Sequence, residues 1–257
     1  MERTEFKAES LVSHVLCECG KPVEVCSAHG NGLTRRIIER FGNKRFKNQV
    51  GAYHVTELCR CLKQSLLERR HGHVETYSEV WSKQRGNALH RHISYAYDGW
   101  KELPIQMVIR LDKGSIRIIG HVDLFDPDER ELIELKSTRA VEWQHRKHLL
   151  PHRHHVLQLQ SYYSIWTQCY HLPAERLSVA YMDEKTPPRS YGVEKLDLAD
   201  WLRQRAIVLH EAIQEDRVPE GEASPLCHYC AVKDICSIGQ HFLRSNCVTR
   251  SNAHTGS

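Results

Sequence analysis

Two hydrophobic periods divide the chain. Between residues 33 and 97 apolar side chains recur at helical spacing, and from Ile105 they recur at every second position. Leu33, Ile37, Ile38 and Phe41 fall on one side of a helix over 33–47. Leu58, Leu62 and Leu66 mark a second helix, which starts near Thr56 as N-cap and runs to about Arg70. Val80, Leu89 and Ile93 mark a third over 78–97. The alternation then predicts strands over 105–111, 115–125 and 132–137, with turn chemistry at Asp112-Lys113-Gly114 and Asp126-Pro127-Asp128 between them. Residues 154–170 return to helical spacing, 177–182 read as a strand, 183–190 as a loop around Pro187-Pro188, and 197–216 as a helix. No internal repeat is present. The order helix, three strands, helix, strand, helix predicts an α/β fold of α+β type, a mixed sheet flanked by helices. Residues 51–237 form its main domain, 1–50 an N-terminal extension of loop, short hairpin and basic helix, and 238–257 a polar, disordered tail.

Charge changes this picture only locally. The formal net charge of +4 permits an acidic partner such as nucleic acid without demanding one. Arg35, Arg36, Arg40, Lys44, Arg45 and Lys47 crowd the polar side of the first helix, as a solvated face or as a DNA contact. A second basic stretch, 139–155 with Arg146, Lys147 and Arg153, follows the third strand and is either a linker or a track for a nucleic-acid backbone. No run approaches the roughly 20 apolar residues of a membrane helix. Met1-Glu2-Arg3-Thr4-Glu5 lacks the apolar core of a secretion signal, so a cytoplasmic protein is expected. In that compartment ten cysteines point to metal ligands before disulfides.

The strands carry the chemistry. Gly120-His121-Val122-Asp123 ends one predicted strand, and Glu134-Leu135-Lys136 lies on the next. If the two pair as a hairpin, Asp123 and Glu134 approach each other. Lys136 then shares the face of Glu134, while Leu135 points into the core. Paired carboxylates hold a hard divalent cation, to which the Leu135 carbonyl is a further candidate ligand. Such a cation polarises a phosphoryl oxygen, and a lysine beside it meets the negative charge that grows during attack. His90, in Gly86-Asn87-Ala88-Leu89-His90 on the preceding helix, is placed to complete the coordination. Gln158 and Tyr162 share a helix face and are placed to position a DNA strand or the lysine.

The cysteines fall into groups. Cys227, Cys230 and Cys236 are close enough to share a metal, with Cys59, Cys61 or His228 as a fourth ligand. A four-cysteine set serves zinc or a cubane iron–sulfur cluster, and spacing alone leaves both open. Cys17, Cys19 and Cys26, with His29, match a small zinc knuckle or a set of free thiols.

Taken in order, Gly86-x-x-x-His90, Gly120-His121-Val122-Asp123, Glu134-Leu135-Lys136, Gln158-x-x-x-Tyr162 and Cys227-x2-Cys230-x5-Cys236 resemble the RecB-like nucleases of the PD-(D/E)xK superfamily. Within it they resemble the CRISPR-associated (Cas) exonucleases with four cysteines. The likeness spans about 53–237 and includes Glu57-Leu58-Cys59-Arg60-Cys61-Leu62-Lys63. It implies a restriction-endonuclease-like core and hydrolysis of DNA, single strands favoured. Mg²⁺ or Mn²⁺ would be held by His90, Asp123, Glu134 and the Leu135 carbonyl, with Lys136 catalytic and Gln158 and Tyr162 accessory. The resemblance also implies a [4Fe–4S] cluster on Cys61, Cys227, Cys230 and Cys236 that staples the C-terminal segment to the N-terminal helix. Two features depart from the family. Cys61 is followed by Leu62-Lys63 in place of Pro-Arg, so Cys59 stays an alternative ligand, and the first 50 residues have no counterpart. The rival reading is a non-catalytic iron–sulfur or zinc DNA-binding subunit. Either way, a CRISPR integrase or helicase is a candidate partner.

Overall fold

Strand β3 (Ser115–Asp126) organises the sheet, because three other strands pair with it. The computed structural model describes residues 49–72 and 75–240, together with 15–17, 19–21, 26, 36, 37, 40 and 41. Of the expected helix over 33–47, residues 36, 37, 40 and 41 are helical, with Arg36 and Arg40 exposed, and the remainder lies outside the described residues.

Along one edge of β3 runs β2 (Trp100–Arg110), antiparallel and in unbroken register from Arg110↔Ser115 to Leu103↔Val122. The other edge is shared. β1 (Ala52–His54) takes its first part in parallel, at Arg117 to Ile119. β4 (Glu131–Ser137) takes its last part antiparallel, at Leu124 to Asp126. Between them, Gly120, His121, Val122 and Asp123 face no strand on that edge. β5 (Arg176–Met182) continues the sheet parallel to β4, and β6 (Arg189–Val193) closes it antiparallel to β5.

Helices cover both faces. α1 (Val55–Leu58), α2 (Leu62–His71), α5 (Arg153–Cys169) and α6 (Ala199–Gln214) enclose the main core with Tyr53, Ile116, Ile118, Leu132 and Tyr181. α3 (Tyr77–Ala96) covers the opposite face through Leu89 and Ile93, which pack on Leu124, Leu135, Ala180 and Met182. The mixed α/β sheet flanked by helices is the fold class expected from the pattern.

Five details differ from the expectation. The helix from Thr56 to Arg70 is two helices, with His54 rather than Thr56 at the N-cap and the Glu57 carboxylate accepting from the His54 amide at 2.9 Å. The break at Cys59–Cys61 is held open by Arg205 of α6, whose guanidinium donates to the carbonyls of Leu58 and Arg60 at 2.6 Å each. β2 begins at Trp100, five residues early, across a Glu102 in left-handed backbone and a Pro104, both poor strand signals but tolerable on an edge strand. The 183–190 loop gives way at Arg189 to β6, and the basic stretch after β4 contains the short helix α4 (Val141–Arg146). Finally, Ser237–Gln240 are helical and Ile238 packs near Gly221, so the described end of the chain is built into the fold. Residues 241–257 lie outside the described ones.

Candidate active site and metal centres

Asp123 sits where the free edge of β3 meets β4. The strands part beyond Leu124↔Ile133, and Asp123 Oδ2 fills the opening by accepting the amide of Leu135 at 2.7 Å. The contact joins Asp123 to the backbone beside Glu134, while the ligand atoms that gather with its own, all within 4.8 Å of one another, are those of His90 and Glu102. Alternation along β4 does the rest. Leu135 is buried against α3, while Glu134 and Lys136 share the other side, with Lys136 Nζ 2.5 Å from Glu134 Oε1.

Glu134 is 1% exposed. Gln158 Nε2 donates to its Oε1 at 2.6 Å and also reaches the Tyr162 hydroxyl at 3.0 Å, so the accessory pair holds the carboxylate in place. Oε2 is buried with no hydrogen-bond partner among the described residues. A buried anionic oxygen without a donor is costly unless a cation or proton reaches it. Burial pushes the Glu134 carboxyl up to about 8, against the pull of Lys136 and with the repulsion of Asp123. Asp123 is also raised by burial, against His90 and Lys136.

His90 reaches this point from α3, its Nδ1 3.9 Å from Asp123 Oδ1. Two glycines permit the approach. A Cβ on Gly86 would stand 2.7 Å from Ser137 Oγ, so the missing side chain lets α3 press on the end of β4. A Cβ on Gly120 would stand 2.7 Å from the Tyr162 ring, so that glycine makes room for the accessory tyrosine.

One acid went unrecognised in the sequence. Glu102, exposed on β2, brings an oxygen within 4.8 Å of ligand atoms of both His90 and Asp123. A signal for it existed. The Asp112-Lys113-Gly114 turn pairs Arg110 with Ser115, and counting back along that register sets Glu102 opposite Asp123. Around the site, His154 and His155 lie near Lys136, and burial lowers them to about 4 and about 2, so both imidazoles stay neutral at neutral pH.

The C-terminal cysteines meet Cys61 in a second place. Cys61, Cys227, Cys230 and Cys236 line one small cavity with Leu226, Val232 and Ile238. Cys61 is the N-cap of α2, and its sulfur accepts the Glu222 amide at 3.3 Å. Cys59 turns away from this cavity, its sulfur 3.4 Å from Ser161 Oγ and its thiol pushed up to about 11 by burial. Arg205 links the two sides, bonding the α1–α2 break and Glu222 Oε1 at 2.8 Å. In the N-terminal part, Cys17, Cys19 and Cys26 converge, while His29 lies outside the described residues.

A fold with paired carboxylates and a lysine at the parting of two strands has the makings of a metal-dependent phosphodiesterase. The chain belongs to the PD-(D/E)XK nuclease superfamily, whose family profile matches residues 36–237. Among solved structures it is similar to the protein SSO0001 at 21% identity, covering 80% of this chain and 95% of that one with a TM-score of 0.57, a likeness of fold. It also aligns with a protein described as a "putative exonuclease" from Eubacterium rectale at 12% identity, over 61% of each chain, with a TM-score of 0.28 that carries no argument. No curated protein matches the sequence. Among the described residues no helix is long and apolar enough to cross a membrane.

Proposed function

We propose that this nuclease is a Mg²⁺- or Mn²⁺-dependent deoxyribonuclease of the cytoplasm that hydrolyses phosphodiester bonds, preferably as an exonuclease on single-stranded DNA. The observation that carries the reading is the buried Glu134, whose Oε2 has no hydrogen-bond partner among the described residues while its Oε1 pairs with Lys136. The donors assigned to a hard divalent cation are His90, Asp123 and Glu134, with the Leu135 carbonyl as a backbone ligand; His90 and Asp123 converge with Glu102 within 4.8 Å, a group to which Glu134 does not belong. The cation, when bound, polarises the scissile phosphoryl group and acidifies a water. Lys136 places its ammonium where charge accumulates on the phosphate during attack. Gln158 holds Glu134 Oε1, and Tyr162 supports Gln158, so both act by position. The exposed Trp143 in the basic segment after β4 is suited to stacking against unpaired bases.

We further propose that Cys61, Cys227, Cys230 and Cys236 hold a [4Fe–4S] cluster, as in the four-cysteine Cas exonucleases, in a setting of CRISPR adaptation (alongside an integrase or helicase), phage or DNA repair. Zinc–thiolate bonds of about 2.3 Å at tetrahedral angles need sulfurs about 3.8 Å apart. No three of these four sulfurs lie within 4.8 Å of one another among the described residues, so the reading rests on their sharing one cavity and on the family resemblance. Labelled single-stranded DNA with Mn²⁺ tests the activity. Asp123→Ala and Lys136→Ala are each expected to lose at least a hundredfold in rate, and full activity in either overturns the assignment.

A further inference from the structure

The N-terminal cysteines differ from the C-terminal set in spacing. Cys26 Sγ lies 3.5 Å from Cys17 Sγ and 3.7 Å from Cys19 Sγ, and all three are mutually within 4.8 Å. Those separations are close to the tetrahedral edge that zinc–sulfur bonds of about 2.3 Å impose, about 3.8 Å. The backbone around them is a tight knuckle. Gly20, at φ +81°, donates to the Cys17 carbonyl at 2.8 Å, and the Cys17 amide donates to the Lys21 carbonyl at 2.8 Å. The Cys19 amide donates to the Cys17 sulfur. Cys17 and Cys26 are buried and Cys19 is exposed, which gives a metal a route in from solvent.

The knuckle is joined to the active-site helix. Leu16 bridges Thr76 in parallel, donating to the Glu75 carbonyl and accepting from the Tyr77 amide at 2.8 Å each. Thr76 is the N-cap of α3. Val15, Cys17 and Cys26 pack with Val80 of the first turn of that helix. His90 stands on the same helix 13 residues beyond Tyr77, about 20 Å along its axis.

We propose that Cys17, Cys19 and Cys26 bind one Zn²⁺ as thiolates, the fourth position taken by water or a further donor, and that this structural zinc clips the chain to the start of the His90 helix. The proposal is independent of the nuclease and iron–sulfur assignments, because it uses none of their residues.

Elemental analysis of anaerobically purified full-length protein tests it. Cys17→Ser and Cys19→Ser are each expected to hold one zinc per chain fewer than wild type, with whatever metal Cys61 and the C-terminal cysteines hold unchanged. Replacing the zinc with Co²⁺ should give a thiolate-to-cobalt charge-transfer band, and removing the metal should speed hydrogen exchange in the first turn of α3. A zinc content in Cys17→Ser equal to that of wild type overturns the proposal. So does a Cys17–Cys26 disulfide in freshly isolated protein, or wild-type protein that retains no metal at these thiols after incubation with Zn²⁺ and desalting. Should the serine variants fail to fold, chelation of the wild type and readdition of Zn²⁺ or Co²⁺ with the same band decides equally.

Discussion

At the scale of single residues, Glu134 is held at a cost that a bound cation removes. Its folded-state pKa of about 8 lies above the ordinary 4.5, so the folded protein binds this proton more tightly than the unfolded chain does. The associated stability is complete below about pH 4.5 and is lost as pH climbs through about 8. Without added divalent metal, Glu134→Gln should therefore melt close to wild type near pH 5 and roughly 5 °C or more above it near pH 8. Thermal melts across that range check this, and a variant that melts lower at pH 8 contradicts it. Glu102 makes a different prediction. Being exposed and beside His90 and Asp123, it should tune the cation rather than decide it. Glu102→Gln is expected to weaken Mn²⁺ binding by about three- to tenfold, read by titration, while the rate at saturating metal changes little. The same contrast governs what was legible in the sequence. Asp123, Glu134 and Lys136 were legible because strand alternation and a short turn fix their relative places. Glu102 was legible only by counting the register back from the 112–114 turn, because Pro104 two positions on breaks the strand pattern that would have placed it.

At the scale of elements, the site is a meeting of α3 with the ends of β3 and β4, and close approach is what the motif glycines supply. Gly86→Ala places a methyl 2.7 Å from Ser137 Oγ, yet 3.8 Å from Ser137 Cβ, so the hydroxyl alone is in the way. In the wild-type background Gly86→Ala should destabilise by about 1–3 kcal/mol through overpacking. In a Ser137→Ala background the clash is gone, and the gain in helix propensity of up to about 1 kcal/mol should emerge instead. A double-mutant cycle by denaturant unfolding measures the difference; additive effects would show that the helix does not press on β4 as described. Elements also show where pattern reasoning stops. The stripe Leu58, Leu62, Leu66 is continuous in sequence, but Arg205, far along the chain, takes the carbonyls that a continuous helix would use. That break turns Cys59 into the core and Cys61 toward the C-terminal cysteines, which the helical angle alone could not decide.

At the scale of the whole molecule, the sharing of one edge of β3 by β1 and β4 creates the site, since Asp123 lies in the stretch that neither strand covers. β1 is three residues long and carries no alternating pattern, so this arrangement had no sequence signal of its own. The alternation of strands and helices was enough to identify the layered fold, and the ordered motifs were enough to identify the superfamily. Cysteine groups then mark both flanks of the core, one beside Cys61 and one at the start of α3.

The central claim is that Asp123 belongs to a cation site and Lys136 to the chemistry performed beside it. Mn²⁺ binding and single-turnover cleavage of labelled single-stranded DNA, measured on the same preparations of wild type, Asp123→Ala and Lys136→Ala, separate the two roles. The account predicts that Asp123→Ala loses both binding and cleavage, and that Lys136→Ala binds Mn²⁺ within a fewfold of wild type while losing cleavage. Undiminished Mn²⁺ affinity in Asp123→Ala, or cleavage at the wild-type rate in either variant, would contradict it.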